Sequence, residues 1–111
     1  MSATSELPSN LCADIVATLD QVLLDEDLVL LFGSAARGGL RGDSDIDLLI
    51  VSAVSHAALK ARLAPVQKSA RRIIDLTTYL PAEFLSLRRK HDVFLKSVLA
   101  GRHIMLKGKL P

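Results

Sequence analysis

The run Asp45-Ile46-Asp47-Leu48-Leu49-Ile50-Val51 sets two carboxylates at alternate positions at the head of an otherwise apolar stretch. A continuous apolar run of this length reads as a strand covered on both faces rather than an edge strand with one wet side. A second run, Leu28-Val29-Leu30-Leu31-Phe32, ends at Gly33-Ser34. Two interior strands commit a short chain to a sheet with helices packed on it. They also place acids where burial without a partner is costly. Side chains at i and i+2 of a strand point the same way, so Asp45 and Asp47 share a face, about 7 Å apart at a rise of ~3.3 Å per residue. At an effective dielectric near 20, two such charges repel by roughly 2–3 kcal/mol. A divalent cation turns that repulsion into binding. Carboxylate oxygens suit Mg²⁺, which keeps several waters and completes its shell with phosphates. The alternative is an edge strand with two solvated acids, and the apolar residues that follow Asp47 speak against it.

Gly33 lets the backbone approach a ligand closely. Ser34 offers a hydroxyl and an amide at an expected helix start, both able to donate to phosphate oxygens, or it serves only as a helix cap. Arg37 and Arg41 lie between the two motifs. Either guanidinium suits the outer phosphates of a nucleotide, and Arg37 is nearer to Ser34. A third acid, Asp75, stands within Ile73-Ile74-Asp75-Leu76-Thr77. If its strand lies beside the first acidic one, Asp75 reaches the same site, as a metal ligand or as the base that takes a proton from the acceptor. Otherwise it is a strand acid paired with Arg71 or Arg72.

Leu11, Ile15, Leu19, Val22 and Leu23 recur at helical spacing behind Ser9 or Asn10 as cap. Residues 27–32 and 45–51 are strands, and Gly38-Gly39-Leu40-Arg41-Gly42 is a loop. A helix over 57–68 turns Leu59, Leu63 and Val66 inward, and the alternation over 72–79 predicts a third strand. Pro81 opens a short helix. Asp92 caps another, whose apolar stripe is Val93, Phe94, Leu95, Val98 and Leu99, and Gly101 ends it. Residues 103–106 form a last short strand. The expected fold is α/β (α+β), a small mixed sheet with helices packed on one face. It forms a single domain over residues 1–111, with residues 1–8 frayed.

The charge is uneven along the chain. Residues 1–59 carry two basic and nine acidic side chains, whereas residues 60–111 carry twelve basic and three acidic ones. The two halves either interleave in one fold or leave a basic face for an acidic partner or a polyanion. Aromatic residues show no stacking pattern with the basic ones, so nucleic acid is unsupported as a partner. Cys12 is the only cysteine, which excludes an internal disulfide and is expected to be a buried, inert thiol. No apolar run is long enough to cross a bilayer and no secretory signal is visible, so the expected location is cytoplasmic. His56, His91 and His103 lack metal-ligand spacing.

The run Gly33-Ser34-Ala35-Ala36-Arg37-Gly38, followed after a short gap by Ser44-Asp45-Ile46-Asp47-Leu48-Leu49-Ile50, resembles the DNA-polymerase-beta-like nucleotidyltransferase superfamily, and within it the minimal nucleotidyltransferases. The resemblance implies two Mg²⁺ ions and transfer of a nucleoside monophosphate, AMP from ATP being favoured over other nucleoside triphosphates, to a hydroxyl. It implies that Gly33, Ser34 and Arg37 hold the triphosphate. Asp45 and Asp47 then bind metal, and Asp75 falls where the family places its third carboxylate. With no length left for an acceptor-binding domain, the acceptor is expected to dock from outside or to be held by a second copy of the chain. Free-standing members of this kind resemble antitoxins that add AMP to a small helical ribonuclease toxin of the HEPN class. Two other readings stay open: a module that neutralises its partner by contact alone, and transfer to a small molecule or a nucleic-acid end.

Overall fold

The computed structural model describes residues 9–36 and 45–110. Residues 1–8, expected to be frayed, the expected loop over 38–42, Arg37 and Arg41 all fall outside these residues. Nine elements follow in order: α1 (Ser9–Asp20), β1 (Leu28–Phe32), α2 (Gly33–Ala36), β2 (Ile46–Val51), α3 (His56–Ala70), β3 (Ile74–Tyr79), α4 (Pro81–Arg89), α5 (Val93–Ala100) and β4 (Ile104–Lys107). The sheet order is β3-β2-β1-β4. β1 runs antiparallel to both of its neighbours, while β2 and β3 are parallel. The expected mixed sheet is therefore present, and β2 is an interior strand, which removes the edge-strand reading of Asp47.

A parallel pair needs a crossover, and α3 makes it. The Ser55 side chain caps α3 by accepting from the Ala58 amide at 3.1 Å. The helix closes on Arg71, whose φ is 57°. Gln67 Oε1 then accepts from the Ile74 amide at 2.8 Å, so the end of the helix sets the start of β3.

Strand alternation sorts the apolar residues onto two faces. Val29, Leu31, Ile46, Leu48, Ile50 and Ile74 pack against Ile15 and Leu19 of α1 and Leu59 and Leu63 of α3. Leu28, Leu30, Leu49 and Val51 turn the other way and meet Phe84 of α4 with Leu95 and Val98 of α5. The two long helices thus form the single layer expected from the sequence, and the two short ones add a smaller layer on the opposite face. The reason lies in β1 and β2, which are apolar on both sides and bury both.

Local chemistry explains most ends. Pro81 occupies the first turn of α4, and Glu83 Oε1 accepts from the Leu80 amide at 3.2 Å. Asp92 Oδ2 accepts from the Leu95 amide at 3.1 Å and caps α5. Gly101 caps the end of α5 as expected, in an extended conformation, and the left-handed turns after α3 and α4 fall on Arg71 and His91. Two expectations change. Asp27 belongs to the turn before β1 rather than to the strand: it is buried, and its Oδ2 accepts from the Leu24 amide at 2.9 Å. Of the apolar stripe on α5, Leu95 and Val98 are buried, but Val93 is 83% exposed and Phe94 42%. Burial pushes the Cys12 thiol up from its ordinary value, which suits the inert role expected of it. No described helix is long and apolar enough to cross a membrane.

Candidate active site

Two ladders decide where the acids point. The antiparallel ladder sets Phe32 opposite Asp47, and the parallel ladder sets Asp47 beside Asp75. Residues paired across a ladder share a face. Phe32, Asp47 and Asp75 therefore form one row across three strands, on the side of the sheet that carries α4 and α5. Those helices cover the far end of that face, over Leu28, Leu30, Leu49 and Val51. The row lies at the other end, where Asp47 is half-buried and Asp75 is exposed. At a strand spacing of about 4.8 Å, the two carboxylates start from neighbouring backbones.

Gly33 follows Phe32 directly and has φ +74°. A Cβ at this position would collide with Asp47 Oδ2, and would sit 3.2 Å from Asp47 Cγ. Both the backbone conformation and the space require glycine here. The expectation from the sequence is that Gly33 approaches a phosphate. The structure adds that its missing side chain lets the turn press against the carboxylate of Asp47. Ser34 comes next in α2.

Asp45 precedes β2 and is exposed. The Ile46 amide that follows it donates to the Ile73 carbonyl at 2.8 Å, which ties the start of β2 to the start of β3. The structure thus brings Asp47, Asp75 and Gly33 together, with Asp45 at the mouth of the same strand. Among the described residues, no three Asp, Glu, His or Cys side chains are gathered closely enough to hold a metal ion by themselves. This donor set still fits Mg²⁺. It is all oxygen, and Mg²⁺ takes one or two protein carboxylates and fills the rest of its shell with water and substrate phosphates.

Other polar groups lie apart from the row. Tyr79, on the same face four residues beyond Asp75, packs against Phe84 with ring centroids 6.1 Å apart. Burial, with Asp92 and Glu83 nearby, pushes its hydroxyl pKa up, so Tyr79 stays protonated. A cleft of about 290 Å³ at the α4–α5 junction is lined by Arg88, His91, Asp92, Leu95 and Lys96. It contains no member of the carboxylate row. Sequence reasoning missed one feature of the site. Phe94 of α5 meets Phe32 edge-to-face, with centroids 5.8 Å apart and planes at 81°. The only signal was that Phe32 immediately precedes Gly33.

Comparison with known proteins gives the following. The nucleotidyltransferase domain family matches residues 11–100. No curated protein matches the sequence significantly. Among solved structures, a toxin–antitoxin with AMP-PNP superposes with a TM-score of 0.63 at 21% identity, over 93% of this chain and 75% of that one. A complex of tri-AMPylated Shewanella oneidensis HEPN toxin with MNT antitoxin gives 0.59 at 17% identity, over 91% and 72%. The toxin–antitoxin MntA–HepT gives 0.59 at 16%, over 92% and 74%. At these identities the likeness is one of fold.

Proposed function

The chain belongs to the nucleotidyltransferase domain family, and from that premise we propose that it moves AMP from ATP onto a hydroxyl of a small helical partner protein, as the antitoxin of a HEPN-type toxin. The observation that carries the catalytic part is the in-register pairing of Asp47 with Asp75 on one face, with Gly33 against Asp47. A module that worked by contact alone has no use for two like charges set side by side on neighbouring strands. The partner and the identity of the transferred group rest on the structural likeness to chains from complexes that contain AMP-PNP or an AMPylated HEPN toxin.

In this reading the turn at Gly33 and Ser34 receives the β- and γ-phosphates, with Arg37 as their counter-charge. That turn abuts Asp47, so the α-phosphate lies over the carboxylate row. Asp75, on the edge strand β3, faces the acceptor and takes the proton of its hydroxyl. The acceptor oxygen attacks the α-phosphorus in line. The new O–P bond forms as the bond to the bridging oxygen breaks, and pyrophosphate leaves on the Gly33 side. Asp45, Asp47 and Asp75 would hold Mg²⁺, which supplies neutralisation of phosphate charge and acidification of the attacking oxygen.

The test incubates the chain with a candidate small helical partner protein, Mg²⁺ and ATP labelled at the α-phosphate. Label retained on the partner, and lost with Asp47→Asn, is the expected result. Neutralisation of the partner that persists in an Asp45→Asn, Asp47→Asn double variant, with no label transferred, replaces the enzyme with a contact binder. Labelled small-molecule product formed without any partner moves the acceptor class.

A further inference from the structure

We propose that Phe94, braced edge-to-face on Phe32, is the surface on which the nucleobase of the bound nucleotide stacks. This rests on the nucleotidyl-transfer reading above and adds to it the group that holds the base. Phe94 sits on the apolar stripe of a helix that buries Leu95 and Val98, yet it is 42% exposed. Its ring is not loose, because it packs on Phe32 at 5.8 Å and 81°. Phe32 in turn is the ladder partner of Asp47. An aromatic ring is thus fixed one residue away from the carboxylates and offered to solvent.

The order of the row decides which ligand group this ring meets. Across the sheet the sequence is Asp75 on β3, Asp47 on β2, Phe32 on β1. β3 is an edge strand, so an acceptor approaches from the Asp75 side. Phe32 and Phe94 stand on the opposite side, and Gly33-Ser34 directly follow Phe32. Triphosphate and base of one nucleotide therefore both belong to the β1 end, which assigns the ring to the donor nucleotide rather than to an acceptor side chain. Every base has a π-face, so stacking here confers affinity with little base selectivity.

The sequence contains no Trp, so Phe94→Trp introduces a single tryptophan reporter at the proposed contact. ATP with Mg²⁺ is expected to quench it saturably. Tripolyphosphate, which carries the phosphates without a base, is expected to displace ATP without quenching. In calorimetric titrations Phe94→Leu, which keeps aliphatic packing on Phe32, is expected to weaken ATP about 5- to 160-fold, the range for loss of one base–aromatic stack. Its tripolyphosphate affinity is expected to stay at the wild-type value, and Phe94→Trp to keep ATP affinity. A Leu variant that binds ATP as the wild type does, or a Trp that saturating ATP leaves unchanged, overturns the stacking while leaving nucleotidyl transfer intact. Wild-type protein that binds neither ATP nor tripolyphosphate overturns both.

Discussion

The two faces of the sheet do different work, and β2 belongs to both. On the α1–α3 face, Ile46, Leu48 and Ile50 are fully buried within a continuous apolar layer. On the other face, Leu49 and Val51 are covered by α4 and α5, but Asp47 lies beyond that cover beside Asp75 and Gly33. One helical layer is complete and the other stops short. In the proposed function a short strand separates stability from chemistry by alternation alone: adjacent residues such as Asp47 and Leu48 then serve opposite purposes because their side chains leave the sheet in opposite directions.

The sharpest way to break this contrast is to change those two neighbours separately. Asp47→Asn is expected to lower transfer of labelled AMP by about 10²-fold or more, the scale of a lost charged group at a reacting centre. Its denaturant midpoint is expected to shift by no more than about 1 kcal/mol in stability. Leu48→Ala is expected to do the reverse. It removes a fully buried side chain and costs about 2–5 kcal/mol in urea unfolding, while the fraction that stays folded keeps its affinity for ATP. If both variants lose stability alike, the division between the faces fails.

Gly33→Ala joins the two effects. The new Cβ meets the Asp47 carboxylate at a φ of +74°, so it is expected to cost about 1–3 kcal/mol of stability and to lose transfer as well. Thermal unfolding and the label assay separate the two losses. On the incomplete layer, Asp92→Ala removes the α5 cap and is expected to cost about 1 kcal/mol, seen as a lower unfolding midpoint. Last comes Lys107→Ala, which removes the ion pair to Asp20 at 3.1 Å. With the Asp20 side chain half exposed, the expected loss is below about 1 kcal/mol and shrinks further in high salt.

Much of this was legible in the residues. The interior character of β2 follows from five apolar residues around a single acid, and the Asp92 cap from its place before an apolar stripe. The order of strands and helices follows from periodicity. What the sequence could not carry was set by tertiary contact. Arg71 and His91 adopt left-handed conformations where no glycine marks the turn. At the first of these, Gln67 fixes the exit by binding the Ile74 amide. Asp27 looked like the first residue of a strand because apolar residues follow it, yet its carboxylate closes the preceding turn. The expectation from the sequence is helices on one face only; α4 and α5 cover the other face as well, because β1 and β2 are apolar on both sides. The Phe32–Phe94 contact joins residues far apart in sequence, and no local pattern announces it.

Asp47 and Asp75 are neighbours only because two strands enter the sheet in the same direction and in phase. The crossover between them, residues 52–73, is therefore constrained by where it sets down the start of β3 rather than by its length. Adding residues within a surface turn that leaves the start of β3 anchored changes nothing at the row. Sliding β3 by one residue would send Asp75 under α3, into the dry layer that Ile74 now fills, and bring a hydrocarbon side chain up in its place. The Gln67 side chain that grips Ile74 thus acts as an indexing pin, and drift in this part of the gene is constrained by phase more tightly than by composition.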